Sequence, residues 1–166
     1  MRRMSSVQPE NGAAEAQPSM SVVAQYVKDL SFENPKAPDS LRARENAPQI
    51  SIGVNVNSRQ RSQSDYEIEL HLEAKAALGE EVFFNVELTY GGLITVQNVP
   101  AQHLHPYVNI EGPRLLFPFA RQIIADAVIR GGFPPLLIDP IDFVALYQQY
   151  LSRLQQMQQQ QGAAAN

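Results

Sequence analysis

The sequence predicts an α+β fold, a four-stranded antiparallel sheet with helices packed on one of its faces. Two patterns and one bulk quantity carry this reading. Between Tyr26 and Val96, apolar and polar side chains alternate with a period of two, the mark of half-buried strands. From Arg114 to Leu154, apolar residues instead recur at helical spacing, in two runs separated by Gly131-Gly132 and a proline-rich strip. A chain of 166 residues with 44% apolar content suits one domain, burying about 65–70% of its unfolded surface.

In chain order, residues 1–19 are rich in Ala, Pro, Ser, Gln and Glu without periodicity and read as a disordered tail. The folded domain is expected over residues 20–155. Tyr26, Lys28, Leu30 and Phe32 alternate with Val27, Asp29, Ser31 and Glu33, which predicts a strand. Asn34–Pro48, with its prolines and mixed charge, is a long crossover loop, a length that inside a compact domain usually carries function. Ile50, Ile52, Val54 and Val56 then mark a second strand, Tyr66–Ala76 a third, and Val82–Tyr90 a fourth after a turn at Leu78-Gly79. Gly91-Gly92 is expected to interrupt the fourth strand as a bulge or kink before Leu93–Val96 resumes it. Short connections make neighbouring strands antiparallel.

Ala101–Asn109 is expected to be a short helix limited by Pro106. Leu116, Ala120, Ile123, Ala127 and Val128 define the apolar stripe of a second helix, which Gly131-Gly132 ends. Phe133–Ile138, crossed by two prolines, is an extended apolar connector. Asp139 and Pro140 are the expected N-cap and first residue of a last helix with its stripe on Phe143, Leu146, Tyr147, Tyr150, Leu151 and Leu154. In the glutamine- and alanine-rich tail, residues 156–166, the glutamine run is expected to extend this helix by a turn or two before the chain frays into Gly162–Asn166.

Composition narrows the function classes. The chain has no cysteine, so no disulfide framework, thiolate nucleophile or zinc–thiolate site is available. A net charge of −4 argues against a general nucleic-acid binder. No apolar run reaches the ~18 residues of a membrane span, and Met1–Glu10 lacks the apolar core of a secretory signal; the expected location is cytoplasmic. His71, His103 and His105, the 3 histidines, lack the spacing of a helical metal pair. Neither a phosphate loop nor a nucleophile elbow is present, so no enzyme activity, metal or other cofactor is expected. Two features remain. The odd-numbered sheet face carries Asp29, Glu33, Asp65, Glu67, Glu69, Glu73 and Glu87, either a solvated face or a docking surface that steers a basic partner. The aromatics are numerous for one face of a small sheet, which points to oligomerisation or a binding groove.

Several motifs together resemble the SecB-type protein-export chaperones. They are Tyr26–Pro38, Ala77-Leu78-Gly79-Glu80-Glu81, Glu87 followed by Gly91-Gly92, Leu116-Phe117-Pro118-Phe119-Ala120-Arg121, and Arg130-Gly131-Gly132-Phe133-Pro134-Pro135. The resemblance implies a cytoplasmic homotetramer, a dimer of dimers, that holds unfolded precursor polypeptides and passes them to the SecA motor without a nucleotide of its own. It assigns SecA binding to Asp29, Glu33 and Glu87, and client binding to Phe32, Phe117, Phe119, Phe133 and Tyr147. Where relatives often carry a Trp just before the proline matching Pro48, this chain has Asn46-Ala47, and it has Asn85 where an apolar residue is common. A SecB-like chaperone dedicated to one partner, such as an antitoxin, and a hot-dog-type thioesterase are the alternatives.

Overall fold

A computed structural model of the chain describes residues 16–164. Four strands, β1 (Ser19–Glu33), β2 (Gln49–Gln60), β3 (Asp65–Leu78) and β4 (Glu81–Gln97), precede two helices, α1 (Ala101–Arg130) and α2 (Phe143–Ala164). The strands form one antiparallel sheet in the order β1-β4-β3-β2. The crossover loop therefore carries the chain from one sheet edge to the other, and β1 pairs with β4. Both helices lie on one side of this sheet, as the α+β reading expects. Of the expected N-terminal tail, residues 1–15 lie outside those described, and Ser19 already opens β1.

Period-two patterning sets the layers. On β3, Ile68, Leu70, Leu72, Ala74 and Ala76 are fully buried beneath α1, as are Val86, Leu88 and Ile94 on β4. The odd-numbered residues along most of both strands face away from the helices. β1 departs from its expected alternation. Its pairing with β4 shifts between Val22 and Ala24 and again between Val27 and Asp29. Each extra residue reverses the sides of the strand. Tyr26, opposite Gly91, thus stands on the open face, whereas Leu30 and Phe32, opposite Leu88 and Val86, face the helices.

Gly91-Gly92 does not interrupt β4. Its register with β3 runs unbroken through Ile68↔Gly92 and Glu69↔Gly91. Packing explains the pair: a Cβ on Gly91 would sit 2.3 Å from the Tyr26 ring, and one on Gly92 would sit 2.6 Å from a Leu116 methyl. One glycine admits a ring on the open face, the next a leucine of α1 on the other.

The two separate helices expected between Ala101 and Val128 are one. α1 spans 30 residues through Pro106, Pro113 and Pro118. A proline inside a helix costs about 3 kcal/mol, but Val108, Leu116, Phe117, Ile124 and Val128 are all buried in the core, at about 1.5–3 kcal/mol each. Burial of that stripe outweighs the lost backbone bonds. The helix stops where expected: Gly131 N–H bonds Ala127 O at 3.0 Å, and Gly132 takes φ 92°. The cap of α2 is Asp142, not Asp139, since Ala145 N–H bonds Asp142 Oδ1 and Leu146 N–H bonds Asp142 O, both at 3.0 Å. α2 continues through the glutamine run to Ala164, past the point where fraying is expected.

Candidate functional site: an acidic open face and two clefts

The open face is built by the odd residues of β3 and β4 with the outward residues of β1 and β2. The register places Glu73 directly opposite Glu87, with Ser31 on the far side of Glu87. Asp29 lies one row along, opposite Thr89, and Glu33 one row the other way, opposite Asn85. The three acids assigned by resemblance thus occupy adjacent rows. Asn85 donates through Nδ2 to Glu87 Oε1 at 3.3 Å, an amide orienting a carboxylate.

At the other end of the face, the acids are satisfied within the chain. Tyr26 donates its hydroxyl to Glu67 Oε1 at 2.7 Å, Lys28 pairs with Glu69 and, at 3.4 Å, with Glu67, and Arg61 stands 3.8 Å from Glu67. The bulge in β1 makes this possible by turning both Tyr26 and Lys28 outward. The Tyr26 hydrogen bond, then Lys28 and Arg61, holds the Glu67 carboxyl below its ordinary value against partial desolvation. Asp65 is likewise held low by Thr95 Oγ1 at 2.6 Å and by Ser62. A carboxyl whose folded pKa is depressed stabilises the fold above its unfolded pKa, and that contribution disappears as pH falls through the folded value. Tyr26→Phe removes the largest influence on Glu67, so Glu67 is expected to titrate closer to 4.5 and thermal stability to fall less steeply between about pH 5 and 2. Carbon-13 titration of Glu67 with melts across that range checks this; an unchanged Glu67 midpoint counts against it.

The helix side holds two clefts along β2. The first, about 390 Å³, opens between the crossover loop and the proline strip, over Phe83, Phe84, Phe133 and Ile50. The rings of Phe32 and Phe84 stack at 5.9 Å between centroids, and Phe133 lies 5.0 Å from Phe84. Arg44 of the crossover loop spans its margin, 4.6 Å above the Phe83 ring and bonded to both Glu81 carboxylate oxygens at 2.9 and 2.8 Å. The second cleft, about 160 Å³, lies between β2, the first turns of α1, and α2. There His105 Nδ1 and the Tyr147 hydroxyl are 2.7 Å apart, and Tyr147 packs on Tyr150 at 6.4 Å. Burial, then the neighbouring Tyr150, raises the Tyr147 hydroxyl above its ordinary pKa.

The structure distributes the five expected client-binding residues. Phe133 lines the first cleft and Tyr147 the second, whereas Phe32, though stacked on Phe84, lines a separate cleft of about 350 Å³ between β1 and the end of α1. Phe119 is 52% exposed on the outer surface of α1, whereas Phe117 is buried, edge-on to Phe143 at 6.1 Å. Phe83, Phe84 and Arg44 are cleft residues that sequence reasoning missed. The signal was the adjacent Phe83-Phe84 pair, which breaks the alternation; pairing of β3 with β4 shifts there, between Ala76 and Ala77.

Among the described residues, no cluster of His, Cys, Asp and Glu is placed to hold a metal, and no helix is long and apolar enough to cross a membrane. A sheet with clefts under its helices and carboxylates on its bare side defines a two-layer α+β binding protein. Residues 13–154 match the family model described as preprotein translocase subunit SecB. The chain is 56% identical over 142 residues to protein-export protein SecB of Mesorhizobium japonicum, covering 86% of this chain and 85% of that one. It is 57% identical over 145 residues to the protein of the same name from Brucella anthropi, with 87% and 88% covered. Its fold is similar to the Mycobacterium tuberculosis Rv1957 SecB-like chaperone, solved with a ChAD peptide from the Rv1956 HigA1 antitoxin, at a TM-score of 0.61 and 12% identity over 74% of this chain and 90% of that one. The chain belongs to the SecB family of protein-export chaperones. Its element order, with every strand before α1, also departs from the hot-dog arrangement, in which the long helix comes early.

Proposed function

We propose that this chaperone holds unfolded precursor polypeptides in the clefts beside β2 as a cytoplasmic homotetramer, a dimer of dimers, and delivers them to SecA, which docks on Asp29, Glu33 and Glu87. The observation that carries the reading is the run of rings from Phe32 through Phe84 to Phe133, the last two lining a cleft left open between two irregular segments. Rings held in place by a sheet offer apolar area at little cost in side-chain entropy. Tyr147 serves in the second cleft, Phe117 supports it from behind through Phe143, and Phe119 extends the apolar surface across α1.

Magnitudes favour weak, tolerant contacts. A client segment burying ~400 Å² gains ~10 kcal/mol gross, and association costs of about 4–15 kcal/mol cancel most of it. One cleft is a poor binder; several on one tetramer holding one chain act together through effective concentration. Folded proteins have hidden such segments, so selection for the unfolded state needs no nucleotide. High identity to export proteins, against 12% to the chaperone bound to an antitoxin peptide, favours export over a dedicated single partner.

The test is titration of the full chain with a reduced, unfolded protein and with its native form, alongside a solution mass. The expected results are binding of the unfolded form at least a hundredfold tighter, and a mass near four times 18.5 kDa. Equal affinity for both forms would sink the chaperone reading.

A further inference from the structure

The two walls of the first cleft are held differently. One is the proline strip, Phe133–Leu136, whose prolines fix the backbone. The other is the second half of the crossover loop, with Arg44, Asn46, Ala47 and Pro48. The first half of that loop is anchored at several points. Asn34 donates through Nδ2 to Gly131 O at 3.3 Å, Ser40 donates to Asn34 Oδ1 at 2.6 Å, and the Leu41 side chain lies against Gly132. Beyond Arg42 the anchoring ends. Among the described residues, no backbone hydrogen bond involves residues 43–48, and their side-chain hydrogen bonds are the two that Arg44 donates to Glu81, at 2.9 and 2.8 Å. Glu81 opens β4, so this clasp ties the loose half of the loop to the β3–β4 hairpin. The same guanidinium lies 4.6 Å above the Phe83 ring, which is 3% exposed. A ring of the cleft is thus covered by a side chain that a single carboxylate holds in place.

Building on the client-binding reading, we infer that Arg44 is a positioning residue that sets the opening of the first cleft. Clasped to Glu81, it holds the loop inward and covers Phe83; released, it lets that wall move outward and leaves the ring to an apolar client segment. Two-point pairing of a planar guanidinium with a carboxylate gives the clasp a defined geometry. Partial exposure of both partners, 30% and 35%, keeps it weak enough to open. A client that binds the open form draws the equilibrium toward it, and its apparent affinity is reduced by the fraction of molecules still clasped. One adjustable wall facing a fixed one also lets a cleft of about 390 Å³ accept side chains of different size.

The experiment titrates the full chain, Arg44→Gln, Glu81→Gln and the exchanged pair Arg44→Glu with Glu81→Arg. The probe is a peptide with blocked termini made of Phe, Val, Ser and Gln, whose lack of charge removes any direct attraction to the altered residues. Both residues are partly exposed, and circular dichroism verifies that each variant folds. Each single variant is expected to bind the peptide about two- to fivefold tighter, with the gain in the association rate, and the exchanged pair to return most of the way to the unaltered chain. A second readout follows the ring. The chain has no tryptophan, so Phe83→Trp places a sole indole at the cleft; its quenching by acrylamide is expected to rise when Arg44→Gln is added, before any peptide is present. Unchanged or weaker peptide binding by Arg44→Gln overturns the inference, as does a gain that the exchanged pair fails to reverse, or an indole no more open to quencher without Arg44. Failure of the peptide and of the unfolded protein to bind any of these proteins overturns the client-binding reading itself; an unaltered chain that binds both, with no response to either single variant, overturns the clasp alone.

Discussion

Leu116→Ala is expected to destabilise the fold by about 3–5 kcal/mol, near the upper end for a buried leucine, because its site is too confined to relax. Leu116 is fully buried, and its methyls occupy the space left by the missing side chain of Gly92. Gly92→Ala is expected to cost about 1–3 kcal/mol for the opposite reason, since its new methyl would overlap Leu116. The two changes share one volume. Removing the leucine makes room for the methyl, so the double variant is expected to be more stable than additivity allows by at least about 1 kcal/mol. Denaturant unfolding of the four proteins at one concentration measures this coupling. Strict additivity would show that the contact between α1 and β4 is not the source of either cost.

The second large effect lies on the opposite side of the sheet. Glu33→Lys with Glu87→Lys is expected to weaken SecA binding about ten- to a hundredfold, mostly through the association rate, with the loss shrinking at high salt. Client affinity should be unchanged. Folding should not suffer, because the substitution at Glu87 sets an ammonium against Glu73 across the β3–β4 ladder, where two carboxylates now oppose each other. Surface-based binding at two salt concentrations, with client titrations in parallel, checks the prediction. Simultaneous loss of client and SecA binding would count against separate surfaces.

Sheet and layers were legible in the residues because alternation on β2, β3 and most of β4 is set by a single buried face. The helix stop at Gly131-Gly132 and the extended strip after it were legible because glycine and proline act locally. Errors arose where a distant contact outweighs a local rule. Pro106, Pro113 and Pro118 stay in one helix because its buried stripe offsets their cost, and Gly91-Gly92 makes room for Tyr26 and Leu116 without bending β4. Asp139 and Asp142 both carry a capping side chain, and in the fold it is Asp142 that accepts from Ala145 N–H. The acids of the open face could be named from spacing. Their division into Glu67 and Glu69, satisfied by Tyr26, Lys28 and Arg61, and Asp29, Glu33 and Glu87, which enter no ion pair among the described residues, could not, because the places of Tyr26 and Lys28 depend on the extra residue in β1 between Val27 and Asp29.

Clefts and carboxylates occupy opposite sides of a single layer, and this separation has a kinetic corollary. A packed layer is about 10 Å thick, comparable to the distance over which physiological salt attenuates a charge. Under the proposed docking of SecA on the carboxylates, substitutions near β2 retune how long cargo stays with little change in the field on the far side, and the converse holds too. Residence and handover become independently adjustable quantities within one small subunit.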